Sequence, residues 1–301
     1  MITTTHALGD LEQKLDAGEP LTATELDRVR TCPDLVSVGV LGEMARRRAT
    51  GDVITFGRLT TIPPDATGPE LGEAGEVRLT GALPSLEEAR QRVRAAVAIA
   101  NGVPVTGFSL ADLVALCAND QAALTDAAAA LRADGLEAVA ETPVDRFPST
   151  GALIEVLSAV VRGGLAARCF TVERGSLGER LALNDRASDV QAALGVGCAY
   201  APLPRLDPVD TPSTGYDDVK TIALARLRCP TSLVIQVDWP LYGPKLAQVA
   251  LAYGAGDVDG VAAVDSQHLG ARRSPVEDIA RQIRAAGGTP VERDGRFVRR
   301  G

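Results

Sequence analysis

The sequence predicts an α/β chain: a closed (β/α)8 TIM-type barrel behind an N-terminal helical cap. Three observations lead there. From Asp52 onward, short β-branched runs alternate with Ala-rich helical stretches, the signature of a parallel sheet with crossover helices. Eight such runs can be counted before the C-terminus. None is followed by a dinucleotide-binding glycine motif, which favours a barrel over an open sheet. Spacing alone leaves an open doubly wound sheet available.

Residues 1–50 read as the cap and 51–301 as the barrel, a single domain overall. Leu8, Leu11 and Leu15 form a short helical stripe that Gly18-Glu19-Pro20 breaks. Thr22 or Thr24 can cap the next helix, with Glu25 in its first turn. A third helix runs from Leu35 to Arg48, and its basic end suits a helix C-terminus. The strands then read DVITFGRL, VRLTG, VPVTGF, EAVAET, LAARCFTV, CAYAPLPRL, SLVIQVDW and GVAAVDS. Helices are expected near 85–101, 109–134 (broken), 150–163, 176–194, 215–228, 243–253 and 275–286. Asp257 and Asp259 read as turn and cap residues ahead of a strand at Val261–Val264. Between the first two strands lies TTIPPDATGPELGEAGE, rich in Pro and Gly and without a periodic apolar stripe, where a normal crossover carries a helix.

Composition narrows the classes of function. At 301 residues and 46% hydrophobic, the chain can bury a sizeable core, built from Ala, Val and Leu because aromatics are only 3%. A formal net charge of −8 without a basic block argues against nucleic acid. No run is long and apolar enough for a membrane span, and no signal pattern opens the chain, so a cytoplasmic protein is expected. Cys32, Cys117, Cys169, Cys198 and Cys229 are odd in number and scattered, with no C-x2-C pair. That speaks against a disulfide framework and against a sequence-local metal site.

The most specific text is KLAQVALAYGAGDVDGVAAVDSQHLGARRSPVEDIARQIRAAGGTPVERD, Lys245 to Asp294. Through AQVAL, GAGDVDG and GGTPVERD it resembles the C-terminal part of the radical-SAM enzymes of the menaquinone (futalosine) route. The nearest of these is aminofutalosine synthase, with the deazaflavin-forming synthase beside it. TGYDDVKTIALARL (Thr214 to Leu227) and PDLVSVGVLGEMARRRATGD extend the likeness. The resemblance implies the barrel, S-adenosylmethionine and a [4Fe–4S] cluster. It also implies a C-x3-C-x2-C loop between the first two strands, where this sequence has no cysteine from Met44 to Leu116. After the second strand, Thr80-Gly81-Ala82 only partly matches the family's glycine turn, and Glu141-Thr142-Pro143 replaces its later glycine-rich segment.

A degenerate member with no cofactor and no metal is therefore expected. It would be a binding or partner subunit that holds a pathway intermediate or pairs with an active radical-SAM synthase. A repurposed lyase, hydrolase or isomerase acting on a chorismate- or nucleoside-derived acid is the alternative, and unusual cluster ligation a second. Function in a barrel sits at the C-terminal ends of the strands. The candidate catalytic groups there are Glu141, Glu173, Arg174 and His268. Thr80, Gly81, Arg205, Asp238 and Gln267 are the candidate substrate contacts, with Trp239 as an aromatic lid over Asp238. For Glu173-Arg174 a solvated ion pair is the simpler reading, and for His268 an exposed loop residue.

Overall fold

A computed structural model of the chain describes residues 7–66, 68–204, 214–264 and 275–300. Three helices come first: α1 (Gly9–Asp16), α2 (Ala23–Thr31) and α3 (Leu35–Thr50). Thr22 and Glu25 close a reciprocal capping box on α2, as the sequence suggested. Leu11, Val29, Val38 and Leu41 of this layer are buried with Ala223 and Leu224 of the barrel helix α9 (Gly215–Arg228). The approach is close at one point. A Cβ on Gly42 would lie 2.2 Å from the carbonyl oxygen of Tyr253, so only glycine lets α3 dock there.

The barrel strands are β1 (Val53–Ile62), β2 (Glu76–Leu79), β3 (Val105–Ser109), β4 (Ala138–Pro143), β6 (Cys169–Val172), β7 (Ala199–Pro202), β8 (Val234–Asp238) and β9 (Asp257–Ala262). A two-residue stub, β5 (Ala166–Ala167), extends the β6 side by pairing with β4. All pairings are parallel, and β9 returns to β1, so eight strands close into a ring. Helices α4 (Leu86–Ala100), α5 (Leu110–Leu116), α6 (Gln121–Ala133), α7 (Thr150–Arg162) and α8 (Leu177–Leu194) fill the crossovers up to β7. After α9 follow α10 (Trp239–Tyr242), α11 (Pro244–Leu251) and α12 (Val276–Ala285). The main core lies between strands and helices, where Val93, Leu113, Leu131, Leu153, Leu157, Ile222 and Ile283 are fully buried. Among the described residues no helix is long and apolar enough to cross a membrane.

Between β1 and β2 the described residues form no helix, which matches the short crossover expected there. Two features depart from the sequence reading. Asp257 and Asp259 lie within β9 and are buried, where a turn had been expected ahead of the strand. Alternation explains it: Asp257 and Asp259 share the inner face and Val258 between them faces the other way, before the register with β1 shifts ahead of Val261. The second feature is an extra strand, β10 (Thr289–Arg293). It pairs with Val53–Gly57 of β1 while β2 pairs with Leu59–Ile62, so one edge of β1 serves two neighbours in succession. The chain end thereby enters the barrel wall and brings Arg293 into the interior.

Candidate functional site in the barrel lumen

A barrel of this kind ordinarily fills its interior with layers of bulky apolar side chains. Here the layers are charged. Period-two alternation turns Glu76 and Arg78, Cys169 and Thr171, Gln236 and Asp238, and Asp257 and Asp259 inward from four strands. Arg293 is the lower hub. Its Nε donates to Asp257 Oδ1 at 2.9 Å, and its Nη2 donates to Asp257 Oδ2 at 2.8 Å and to Asp259 Oδ1 at 3.2 Å. The guanidinium passes where Gly57 leaves room, since a Cβ there would sit 2.6 Å from Arg293 Nη1. Phe297 covers it with its ring centre 4.2 Å from the guanidinium carbon. Arg78 forms the upper hub, donating from Nη1 to Asp259 Oδ2 at 2.7 Å and from Nε to Glu76 Oε1 at 2.9 Å. Thr106 also donates to Glu76, at 2.5 Å. Asp259 joins the two hubs by accepting from both, and Gln236 extends the lower one, donating to Asp257 at 2.7 Å and accepting from the Cys169 thiol at 3.3 Å.

The electrostatics separate into satisfied and unsatisfied groups. Burial alone would raise the Asp259 carboxyl, but the Arg78 and Arg293 guanidiniums outweigh it and hold it below the usual carboxylate range. Both guanidiniums are raised, because the surrounding carboxylates overcome their desolvation. Burial pushes the Cys169 thiol well up, so it is a protonated donor. Glu141 and Asp238 behave differently. Burial raises Glu141, with further contributions from Glu173, Asp259 and Asp112 against Arg78. Burial together with the charge of Asp259 raises Asp238 to about 6. Among the described residues the Glu141 carboxyl makes no hydrogen bond or ion pair, and the Asp238 carboxyl accepts only the Leu241 N–H, at 2.8 Å. The Thr171 Oγ1 and Arg168 Nη1 atoms are buried without a partner. All four residues line one narrow cleft of about 50 Å³ that opens to solvent. On β7 only the small side chain of Ala201 faces it, which leaves the room.

A raised carboxyl pKa has a consequence for stability. Protons are held more tightly in the native state, so stability is greatest below the ordinary Asp value of 3.8 and falls as pH rises through about 6. Asp238→Asn is therefore expected to flatten this fall, gaining about 2–3 kcal/mol relative to wild type between pH 4 and 7. Urea midpoints of the two proteins across that window check it. Equal pH slopes would show that Asp238 ionises freely in the fold.

Of the residues named from sequence, the structure brings Glu141 and Asp238 to this cleft. Glu173 lies outside it, paired with Arg146 at 2.9 Å and part-exposed. Arg174 is exposed, and its backbone N–H donates to Asp145. The pair is thus not the clamp the sequence allowed. Thr80 uses its backbone in the turn, with its N–H on the Ile62 carbonyl and its carbonyl receiving Arg92; Gly81 packs on Pro64. Neither lines the cleft. Trp239 is 1% exposed, so it is core and not a lid. Arg205, Gln267 and His268 lie outside the described residues. The sequence reading missed Arg78, Thr171, Asp259 and Arg293. The available signal was polar residues alternating within strand-like runs, as in EVRL and DVDG.

The described residues do not fit an iron–sulfur cluster. Cys32 ends α2, Cys117 follows α5, Cys169 starts β6, Cys198 precedes β7 and Cys229 follows α9. No three His, Cys, Asp or Glu among the described residues are grouped to hold a metal.

Comparison with known proteins places this barrel. No family model matches the chain. Over 48% of its length it is 32% identical to the 5-amino-6-(D-ribitylamino)uracil–L-tyrosine 4-hydroxyphenyl transferase of Methanothermobacter thermautotrophicus, covering 44% of that protein. Over 28% of its length it is 37% identical to the aminodeoxyfutalosine synthase of Thermus thermophilus, covering 24% of that enzyme. The chain is a homologue of these radical-SAM enzymes. It spans less than half the length of either relative. In three dimensions it is similar to methylornithine synthase, at a TM-score of 0.64 and 15% identity over 94% of this chain and 97% of that one. The hydrogenase maturase HydG gives the same TM-score of 0.64 at 12% identity, over 94% of this chain and 75% of that one. These two likenesses show the barrel fold. The homology also corrects an expectation. Relatives and structural neighbours belong to a class that uses S-adenosylmethionine and [4Fe–4S] clusters, so the inference of a protein without cofactors does not stand.

Proposed function

We propose that this radical-SAM-type barrel binds a small molecule of futalosine- or deazaflavin-related chemistry in its lumen. It would serve as a binding or partner subunit to an active synthase of the same family. One observation carries the reading: a cleft in the barrel lumen is lined by polar atoms of Glu141, Asp238 and Thr171, with Arg168 toward its other end, that the fold itself leaves unmatched. Buried polar groups are ordinarily satisfied, and unmatched ones in a cleft fit a ligand that completes them. The sequence supports the partner role through the missing C-x3-C-x2-C spacing.

A second reading, acid–base catalysis on the bound molecule, draws on Asp238, whose carboxyl at about 6 lies within the range useful to a general acid or base near neutrality. A thermal-shift panel tests the first reading. Its ligands are S-adenosylmethionine, L-tyrosine, 5-amino-6-(D-ribitylamino)uracil and aminodeoxyfutalosine. At a hundred times its dissociation constant a ligand adds about 2.7 kcal/mol. The expected result is a raised midpoint with at least one ligand in wild type and none in Ala201→Phe, which fills the cleft. A shift that survives this substitution would place binding outside the lumen. Turnover of the bound ligand, lost in Asp238→Asn while binding remains, would select the catalytic reading.

A further inference from the structure

The cleft has a marked chemical bias. Five carboxyls, from Glu76, Glu141, Asp238, Asp257 and Asp259, stand in or beside it against the two central guanidiniums of Arg78 and Arg293. Those guanidiniums are spent on Glu76, Asp257 and Asp259. Arg168, at the cleft wall, is 3.9 Å from Glu137, outside the acidic group. Glu141 and the outer oxygen of Asp238 therefore face the cleft without a direct ion pair among the described residues, and Arg78 acts on them only from a distance. A second observation is independent of charge: Thr171 is 3% exposed, lines the cleft, and its hydroxyl has no partner.

We propose that this slot receives the cationic nitrogen of the ligand, an ammonium or amidinium, between Glu141, Asp238 and the Thr171 hydroxyl. The inference rests on the lumen being the binding site, as proposed above, and adds what the lumen selects. An ammonium carries three N–H donors and no acceptor, and the slot offers acceptors from three strands: two carboxylates, and a Thr171 hydroxyl oxygen whose own proton is free to turn away from the ligand. Two ionised acceptors make the contacts charge-assisted, which are the stronger kind. A carboxylate ligand placed there would meet like charges and be rejected.

Calorimetric titration of the whole protein in low-salt buffer at neutral pH tests this with two matched trios. One is 2-phenylethylamine, 2-phenylethanol and 3-phenylpropionate; the other is butylamine, butanol and pentanoate. The expected result is that each amine binds about ten-fold or more tighter than its alcohol, with the carboxylates weakest. Glu141→Gln and Thr171→Val each weaken the amines several-fold and leave the alcohols unchanged. Neither variant orphans a partner, and circular dichroism confirms folding; Asp238→Asn, which keeps an α10 cap, is the third variant. Amines no tighter than alcohols, no binding by either amine, or amine binding unmoved in all three variants would each overturn the inference. Ala201→Phe separates the two levels of the account. Amine binding that persists there brings down the lumen reading itself. Binding lost there but strongest for the carboxylates overturns only the preference for a cation.

Discussion

Arg293→Met is expected to destabilise the protein by about 3–5 kcal/mol, the range for breaking a buried ion network from one side. The side chain is 1% exposed and meets Asp257 and Asp259 directly, with Glu76 at 3.9 Å. Methionine fills much of the space but leaves these acids facing one another in the dry interior, with Arg78 alone to balance them. The chain end would also lose its anchor, because Arg293 is what fixes β10 to the lumen and gives Phe297 its cation to cover. The loss has a pH signature. In wild type, Asp259 is held low, so its contribution is present above the ordinary Asp value and disappears only as pH falls well below it. In the variant the acids bind protons more readily, and the gap between the two proteins should narrow as pH falls from 7 toward 4. Urea unfolding followed by the fluorescence of Trp239, the single tryptophan, measures it. A loss under about 1 kcal/mol would mean that the lumen charges are solvated after all.

Trp239→Ala should have a comparable effect, about 3–5 kcal/mol from lost burial and the cavity left behind. Trp239 opens α10 directly after Asp238 and is among the largest fully buried side chains. It belongs to the main core, together with Tyr242, Ala247 and Val261. An aromatic lid would show the opposite pattern, with weaker ligand binding and almost unchanged stability. Circular dichroism, which does not depend on the deleted fluorophore, distinguishes the two.

Much of the fold could be read from residues. The strand runs were marked by β-branched alternation and the helices by signals such as the cap at Thr22-Glu25, which forms a reciprocal box. What escaped was long-range. GGTPVERD reads as a helix terminator followed by a tail; only pairing with Val53–Gly57 makes it a strand. Asp257 and Asp259 looked like turn residues because acids are seldom buried. Their partners stand far away in sequence, Arg78 and Arg293, so local text could not reveal them. For the site, Glu141 and Asp238 were found because strand ends face the barrel mouth. Glu173 and Arg174 were adjacent in sequence but took Arg146 and Asp145 as partners, and neighbouring residues on a loop do not point the same way.

The measurement that bears most directly on the lumen as a functional site is the stability of Glu141→Met. A carboxyl kept half-buried without a partner costs the fold free energy, and retaining it makes sense where a ligand supplies the missing contact. The account predicts that Glu141→Met is as stable as wild type or more so, by up to about 1 kcal/mol, while losing the ligand response. A variant destabilised by more than about 1 kcal/mol would show that Glu141 holds the barrel together, and would contradict a site built for a ligand.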